Sequence, residues 1–318
     1  MAPRLKLDEE RRRRKQMRAS LGTLRENQIK PSTRARYIFA VESFFQWLEC
    51  MRLATPATTA EFDLLVCDYL EHLWQEGDSL ALAGDTLSGL TASVKTLKRG
   101  LPESWSALTT WQGLEPPSRA PPLWDEAVCA LVGLALEDNE CGFAFFVYAA
   151  YQCMLRTGEA FKLTVGDVVL SPSLKQAVLN LGLTKGGRRR REKNESVISK
   201  DPSLIKLAVL ASVGKDPRSR FFEGSQYEMR RKFSKYIAAL KLSADFRPYS
   251  LRRGGATAHF QHFASLSLTT TRGRWSSQKT CRQYIDEARL ALQRMSLHQG
   301  AKKAIKQGTE SFRNLLLV

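Results

Sequence analysis

Between Glu115 and Pro122 the chain reads Glu-Pro-Pro-Ser-Arg-Ala-Pro-Pro. Four prolines in eight residues cannot share one helix, because proline lacks an N–H and its ring clashes with the preceding turn. Such a run is extended and stiff. It divides the 318 residues into pieces that each match the size of a domain. The expected division is a basic tail at 1–28, a domain at 29–114, the linker at 115–123, a second domain at 124–292 and a C-terminal tail at 293–318.

Upstream of the linker the pattern is helical. Pro31-Ser-Thr33 offers a helix start, and Ile38, Val41, Phe45 and Leu48 follow at helical spacing. A second helix is expected from Thr59 through Leu65, Tyr69 and Leu73 to Gly77. A third is expected from about Thr86 through Leu90, Val94 and Leu97 to Gly100. Downstream, helices are expected at 124–137, 140–155, 203–212, 226–241, 250–264 and 277–290. Ala177–Thr184 alternates as a strand does, Lys185-Gly-Gly187 turns, and Glu195–Ile198 returns as an antiparallel partner. The fold class expected is mainly α, a small helical domain followed by an α-rich domain with a small antiparallel sheet. Residues 300–318 read as a helix or tail seeking an apolar groove, on a neighbouring subunit or on their own domain.

No apolar run approaches the roughly 18 residues of a membrane span. The N-terminus is basic without an apolar stretch, which argues against a secretory leader. The net charge of +17 points to a polyanion partner, nucleic acid first. Arg11–Lys15 fits a nuclear import signal, an arm that contacts DNA, or a solvated helix end or disordered tail. The six cysteines lie among apolar neighbours without a Cys-x-x-Cys pair. They read as buried thiols of a reducing compartment, the nucleus or the bacterial cytoplasm, rather than a zinc site.

Several cations stand beside groups that suit phosphate chemistry. Arg156 falls where an apolar helix ends, with Glu159 three residues on to orient it. Lys185 sits at a hairpin tip, followed by Arg188, Arg189 and Arg190. Tyr249-Ser-Leu-Arg252-Arg253-Gly-Gly-Ala256 places arginine on a helix whose small residues permit close packing. Trp275 follows Arg274, and Tyr284 comes nine residues after Trp275. Two arginines can grip non-bridging phosphate oxygens and stabilise a pentacoordinate transition state. A tyrosine can act as nucleophile. Lys95, Lys98, Arg99, Arg188, Arg189, Arg190, Arg253 and Arg274 are the candidate DNA-backbone contacts.

In this order the residues resemble the tyrosine recombinase (phage integrase) family. Leu155-Arg156-Thr-Gly-Glu159, continued by Leu163-Thr-Val-Gly-Asp167, is similar to that family's first arginine motif. Cys153-Met154 stand where Thr-Gly is usual, and Tyr249 where histidine is usual. The resemblance implies a DNA-binding helical domain at 29–114 and a catalytic domain at 124–292. It implies that Tyr284 attacks the scissile phosphate, Arg156 and Arg252 hold it, and Lys185 protonates the leaving oxygen. Tyr249 and Trp275 would donate hydrogen bonds. It also implies double-stranded DNA as partner, a homo-tetramer on DNA, and no cofactor. The alternatives are a type IB topoisomerase-like nicking-closing enzyme and an inactive DNA-binding derivative.

Overall fold

The computed structural model describes residues 3–24, 26–116, 118–184, 187 and 194–317. The chain divides into two compact units, Met1–Ser118 and Arg119–Val318. The division falls inside the proline-rich segment.

The first unit is helical. Helix α1 (Pro3–Leu21) is an exposed basic helix where the sequence suggested a tail. Helices α2 (Pro31–Cys50), α3 (Thr59–Gln75), α4 (Leu80–Ser93) and α5 (Pro102–Leu114) enclose a core of Phe44, Leu48, Val66, Tyr69, Leu87 and Leu108. The phase expected for α2 was partly wrong. Ile38 and Phe45 are exposed, and the buried face is Ala40, Phe44 and Leu48. A Cβ on Gly89 of α4 would lie 2.7 Å from Val41 and 3.0 Å from the Tyr37 carbonyl, so α2 and α4 cross closely there. The long helix expected to end at Gly100 stops at Ser93. Lys95, Lys98 and Arg99 lie exposed on a separate 3₁₀ turn, Lys95–Arg99. Helix α5 was not anticipated. Pro102 stands at its first turn, where proline is tolerated, and buried Asp63 of α3 accepts the N–H groups of Glu103 and Ser104 at 2.8 and 3.0 Å.

The second unit is built around α6 (Asp125–Glu137) and α7 (Cys141–Gln152), whose side chains supply much of its core. Helix α8 (Thr157–Lys162) leads to a three-stranded antiparallel sheet of β1 (Val168–Leu170), β2 (Ala177–Gly182) and β3 (Glu195–Ser199), in that order. Val178 pairs with Val169 on one side and Ile198 on the other, and the ladder shifts register between Asn180 and Gly182. Lys185, Arg188, Arg189 and Arg190 lie outside the described residues. Helices α9 (Pro202–Ser212), α10 (Gln226–Ala239), α11 (Tyr249–Phe263) and α12 (Leu266–Arg272) follow. The single helix expected at 277–290 is two, α13 (Gln278–Arg282) and α14 (Glu287–Met295), with Tyr284 in the break. Asp286 causes the restart by accepting the Arg289 N–H at 3.3 Å.

Helix α15 (Gln299–Leu317) packs on α6 of its own chain and buries Ile305 and Phe312. A Cβ on Gly133 would sit 2.0 Å from the Gly308 carbonyl, so the two backbones nearly touch. Cys129, Cys153 and Cys281 are buried; Cys50 is exposed, against expectation, because it ends α2 on the solvent side. Among the described residues no helix is long and apolar enough to cross a membrane.

Candidate active site

Two helix ends form the floor of the site. Helix α7 closes with Met154 in the left-handed region (φ 46°). Its N–H donates to the Tyr151 carbonyl at 3.1 Å, and the Leu155 N–H to the Ala150 carbonyl at 3.0 Å. Helix α12 closes the same way, with Arg274 at φ 57°, its N–H on Thr271 O and the Trp275 N–H on Thr270 O, both at 3.1 Å. Both are Schellman closures, which usually carry glycine at the left-handed position. Cys153-Met154 therefore make the reversal without a glycine. It delivers Leu155 and Arg156 directly to α8.

Arg156 is extended (φ −66°, ψ 145°) at the start of α8. Glu159 accepts the Arg156 backbone N–H at 2.9 Å through Oε2 and pairs with its guanidinium through Oε1. The same carboxylate takes Arg274 Nη2 at 2.9 Å and has Arg252 Nη1 at 3.9 Å. One largely covered carboxylate, its side chain 9% exposed, thus gathers three arginines. Burial pushes the Glu159 carboxyl up, but Arg274, the Arg156 N–H and Arg156 itself bring it net below the ordinary value.

Arg252 is 1% exposed at the start of α11. Its placement depends on the following glycines. A Cβ on Gly254 would fall 1.9 Å from the Leu123 carbonyl, and one on Gly255 would fall 2.2 Å from Tyr151 O. Only glycine lets α11 sit against the chain at Leu123 on one side and α7 on the other. Arg252 donates to Met154 O and, at 2.8 Å, to Gly273 O. Its guanidinium carbon lies 4.7 Å from the Trp275 ring and 5.3 Å from the Tyr284 ring. Burial, then Arg274 and Arg156, lower its pKa to about 10, which leaves it protonated at neutral pH.

Tyr284 stacks obliquely on Trp275 (centroids 4.6 Å apart) and on Tyr249 (5.7 Å). Burial raises the Tyr284 phenol; the Tyr249 hydroxyl, Arg252, the Trp275 N–H and Arg156 more than offset that, and its pKa falls. Tyr249 moves the opposite way, raised by burial and then by Tyr284. Of these two phenols, Tyr284 is the one disposed to lose its proton. Trp275 Nε1 and Arg252 Nε are buried and find no acceptor of ordinary hydrogen-bond geometry among the described residues. The indole therefore acts on Tyr284 as a nearby dipole rather than through a formed bond.

The structure thus brings together Arg156, Glu159, Tyr249, Arg252, Trp275 and Tyr284. Two arginines expected on the DNA surface lie elsewhere. Arg253 is 3% exposed and bridges Ala120 O (2.6 Å) to Asp286 (3.1 Å). Arg274 is turned inward onto Glu159 and the carbonyls of Cys153 and Met154. Neither offers a free guanidinium edge to solvent. Asp286 and Thr257 join the site through hydrogen bonds that the motifs do not signal. Thr257 Oγ1 donates to Arg253 O at 3.0 Å, with Tyr284 O at 3.4 Å as the alternative acceptor for the same hydrogen, and accepts the Asp286 N–H at 3.2 Å. The Asp286-Glu287 pair ahead of an apolar repeat was a legible capping signal.

No family model matches the sequence, and no curated protein matches it. Solved structures do. A lambda integrase dimer bound to a COC′ core site has a TM-score of 0.57 at 16% identity, over 86% of this chain and 75% of that one. Lambda integrase residues 75–356 on the same core site give 0.57 at 15%, over 82% and 91%. The XerA recombinase superposes more loosely, at 0.43 and 16%, over 89% and 93%. Mainly helical with a small three-stranded antiparallel sheet, this chain has the fold of lambda integrase.

Proposed function

We propose that the chain is a site-specific DNA recombinase that cuts and rejoins strands through a 3′-phosphotyrosyl intermediate. Tyr284 gives up its phenolic proton to solvent, and its oxygen bonds to phosphorus as the bond to the 5′-oxygen breaks. Arg156 and Arg252 neutralise the non-bridging oxygens, Glu159 holds Arg156, and Tyr249 and Trp275 donate hydrogen bonds. Lys185 supplies a proton to the leaving 5′-oxygen. A 5′-hydroxyl from a second duplex then reverses the step. One phosphoester replaces another of similar energy, so the exchange conserves the bond. Tyr249 is a hydrogen-bond donor rather than a proton-transfer base, since its pKa lies above the ordinary phenol value. Double-stranded DNA is the partner and a homo-tetramer the working assembly. The proline-rich segment would join a DNA-binding first unit to a catalytic second one. Lys95, Lys98 and Arg99, with Arg188, Arg189 and Arg190, would contact phosphates.

One observation carries this reading. Tyr284, a tyrosine of lowered pKa, stacks on Trp275 and lies beside Arg252, in an arginine cluster that outnumbers its carboxylate. Three arginines around one carboxylate leave net positive charge beside that phenol, which suits an anionic phosphate. The test is nicked duplex DNA incubated with the protein and run on a denaturing gel. A covalent adduct that disappears in Tyr284→Phe is expected. An adduct that persists in Tyr284→Phe refutes the assignment. A non-cleaving DNA-binding reading draws on both Arg252 Nη groups being engaged by backbone carbonyls. Binding without adduct on any joined or nicked substrate would favour it, and relaxation of supercoiled plasmid without joined products would favour the topoisomerase-like one.

A further inference from the structure

Arg274 is an unusual residue for its place. A left-handed position closing a helix favours glycine, yet here it carries a long charged side chain. That side chain does not reach outward. It is 8% exposed and crosses from the end of α12 to the end of α7. There it donates to Cys153 O at 3.2 Å and Met154 O at 3.4 Å, the carbonyls left open where α7 stops. A cation at a helix C-terminus is favoured by the helix dipole as well. Its Nη2 then takes Glu159 Oε2 at 2.9 Å. The next residue along the chain is Trp275, stacked on Tyr284.

We propose that Arg274 is a positioning residue that clamps two helix ends together and sets Glu159, and through it Arg156, in register with Trp275 and Tyr284. Its catalytic consequence rests on the strand-transfer reading; its hold on Glu159 does not. The backbone cost of a non-glycine residue here is repaid by that clamp, in the way strained residues persist where their surroundings over-determine them. The charged groups facing Glu159 are Arg156 ahead of α8, Arg252 on α11 and Arg274 after α12. Among the influences that lower Glu159, Arg274 is the largest. Without it the carboxyl moves upward toward protonation, and a protonated Glu159 holds Arg156 less firmly.

The experiment compares the full-length protein with Arg274→Gly and Arg274→Lys. Glycine suits the left-handed backbone, so the fold has no steric reason to fail, and circular dichroism checks it. The first measurement needs no DNA: the carboxyl carbon of Glu159, assigned with Glu159→Gln, is followed by NMR from pH 4 to 8. We expect it to stay ionised over most of that range in the wild type and in Arg274→Lys, and to titrate at distinctly higher pH in Arg274→Gly. The second is adduct formation on nicked duplex DNA. Arg274→Gly should lose roughly a hundredfold at neutral pH, the loss that a misplacement of about 1 Å brings. Its acid limb should move to higher pH, and Arg274→Lys should recover part of the rate and the whole of the profile. An unmoved Glu159 titration in Arg274→Gly overturns the proposal whatever the adduct does. So does an adduct rate and pH profile equal to the wild type. If the wild type forms no adduct while Glu159 shifts, the hold of Arg274 on Glu159 stands and the strand-transfer reading falls.

Discussion

Replacing Glu159 by glutamine keeps the side chain's shape and removes one charge. In the wild type three guanidiniums share that charge, with Arg274 at 2.9 Å and Arg252 at 3.9 Å besides the bonded Arg156. Arg252 and Arg274 are 1% and 8% exposed, so their positive charges lose the counter-ion inside low dielectric. Breaking a buried pair costs about 3–5 kcal/mol. Glutamine retains an acceptor oxygen, and Arg156, about a quarter exposed, is partly screened by water. The expected loss is therefore about 2–4 kcal/mol. For a unit of this size about 3 kcal/mol corresponds to a fall in Tm of roughly 6–12 °C. Scanning calorimetry of Glu159→Gln at pH 7.5 measures it. The sign of the pH dependence follows from the lowered carboxyl. Its stabilisation is complete above the unfolded value of 4.5 and is lost as pH falls through the lower folded value. The gap between wild type and variant should thus stay constant from pH 8 to about 5 and close below that. A Tm change under about 2 °C at pH 7.5, or a gap that widens on acidification, would refute the shared-carboxylate account.

Three other perturbations follow from the same geometry. Tyr249→Phe removes the largest influence that lowers Tyr284, so adduct formation should slow several-fold at pH 7 and recover at higher pH, seen in a pH–rate profile. Gly254→Ala places a Cβ 1.9 Å from the Leu123 carbonyl, and urea titration should show a loss of about 1–3 kcal/mol, with Gly255→Ala similar. Gly133→Ala forces α6 and α15 apart at Gly308, and limited proteolysis should release the C-terminal helix earlier than in the wild type.

Most helices were legible because their apolar repeats are long and their caps are conventional. The Ser225 cap of α10 and the Asp201 cap of α9 are examples. The α2 face was misread because Ile38 and Phe45 are as apolar as Phe44, and only the partner helices decide which stripe is covered. The two helix closures nearest the site were hidden for a definite reason: their left-handed residues are Met154 and Arg274, not glycine. The residues that meet around Tyr284 could be picked out by type and order. Which arginine faces outward could not, because Arg252, Arg253 and Arg274 differ only in the carbonyls and carboxylates that tertiary packing presents to them. The split between α13 and α14 turned on one capping aspartate.

The chain around Tyr284 is short and anchored on both flanks. The Arg119 guanidinium reaches the Gln283 carbonyl at 3.4 Å on one side, and Arg253 grips Asp286 on the other. Were Tyr284 the nucleophile proposed above, so brief a leash would tie it to a phosphate held by its own polypeptide and would not lend it to a neighbour unless those knots were untied. In mixed assemblies, a subunit lacking Tyr284 and another lacking Arg156 should then be unable to restore one working centre between them.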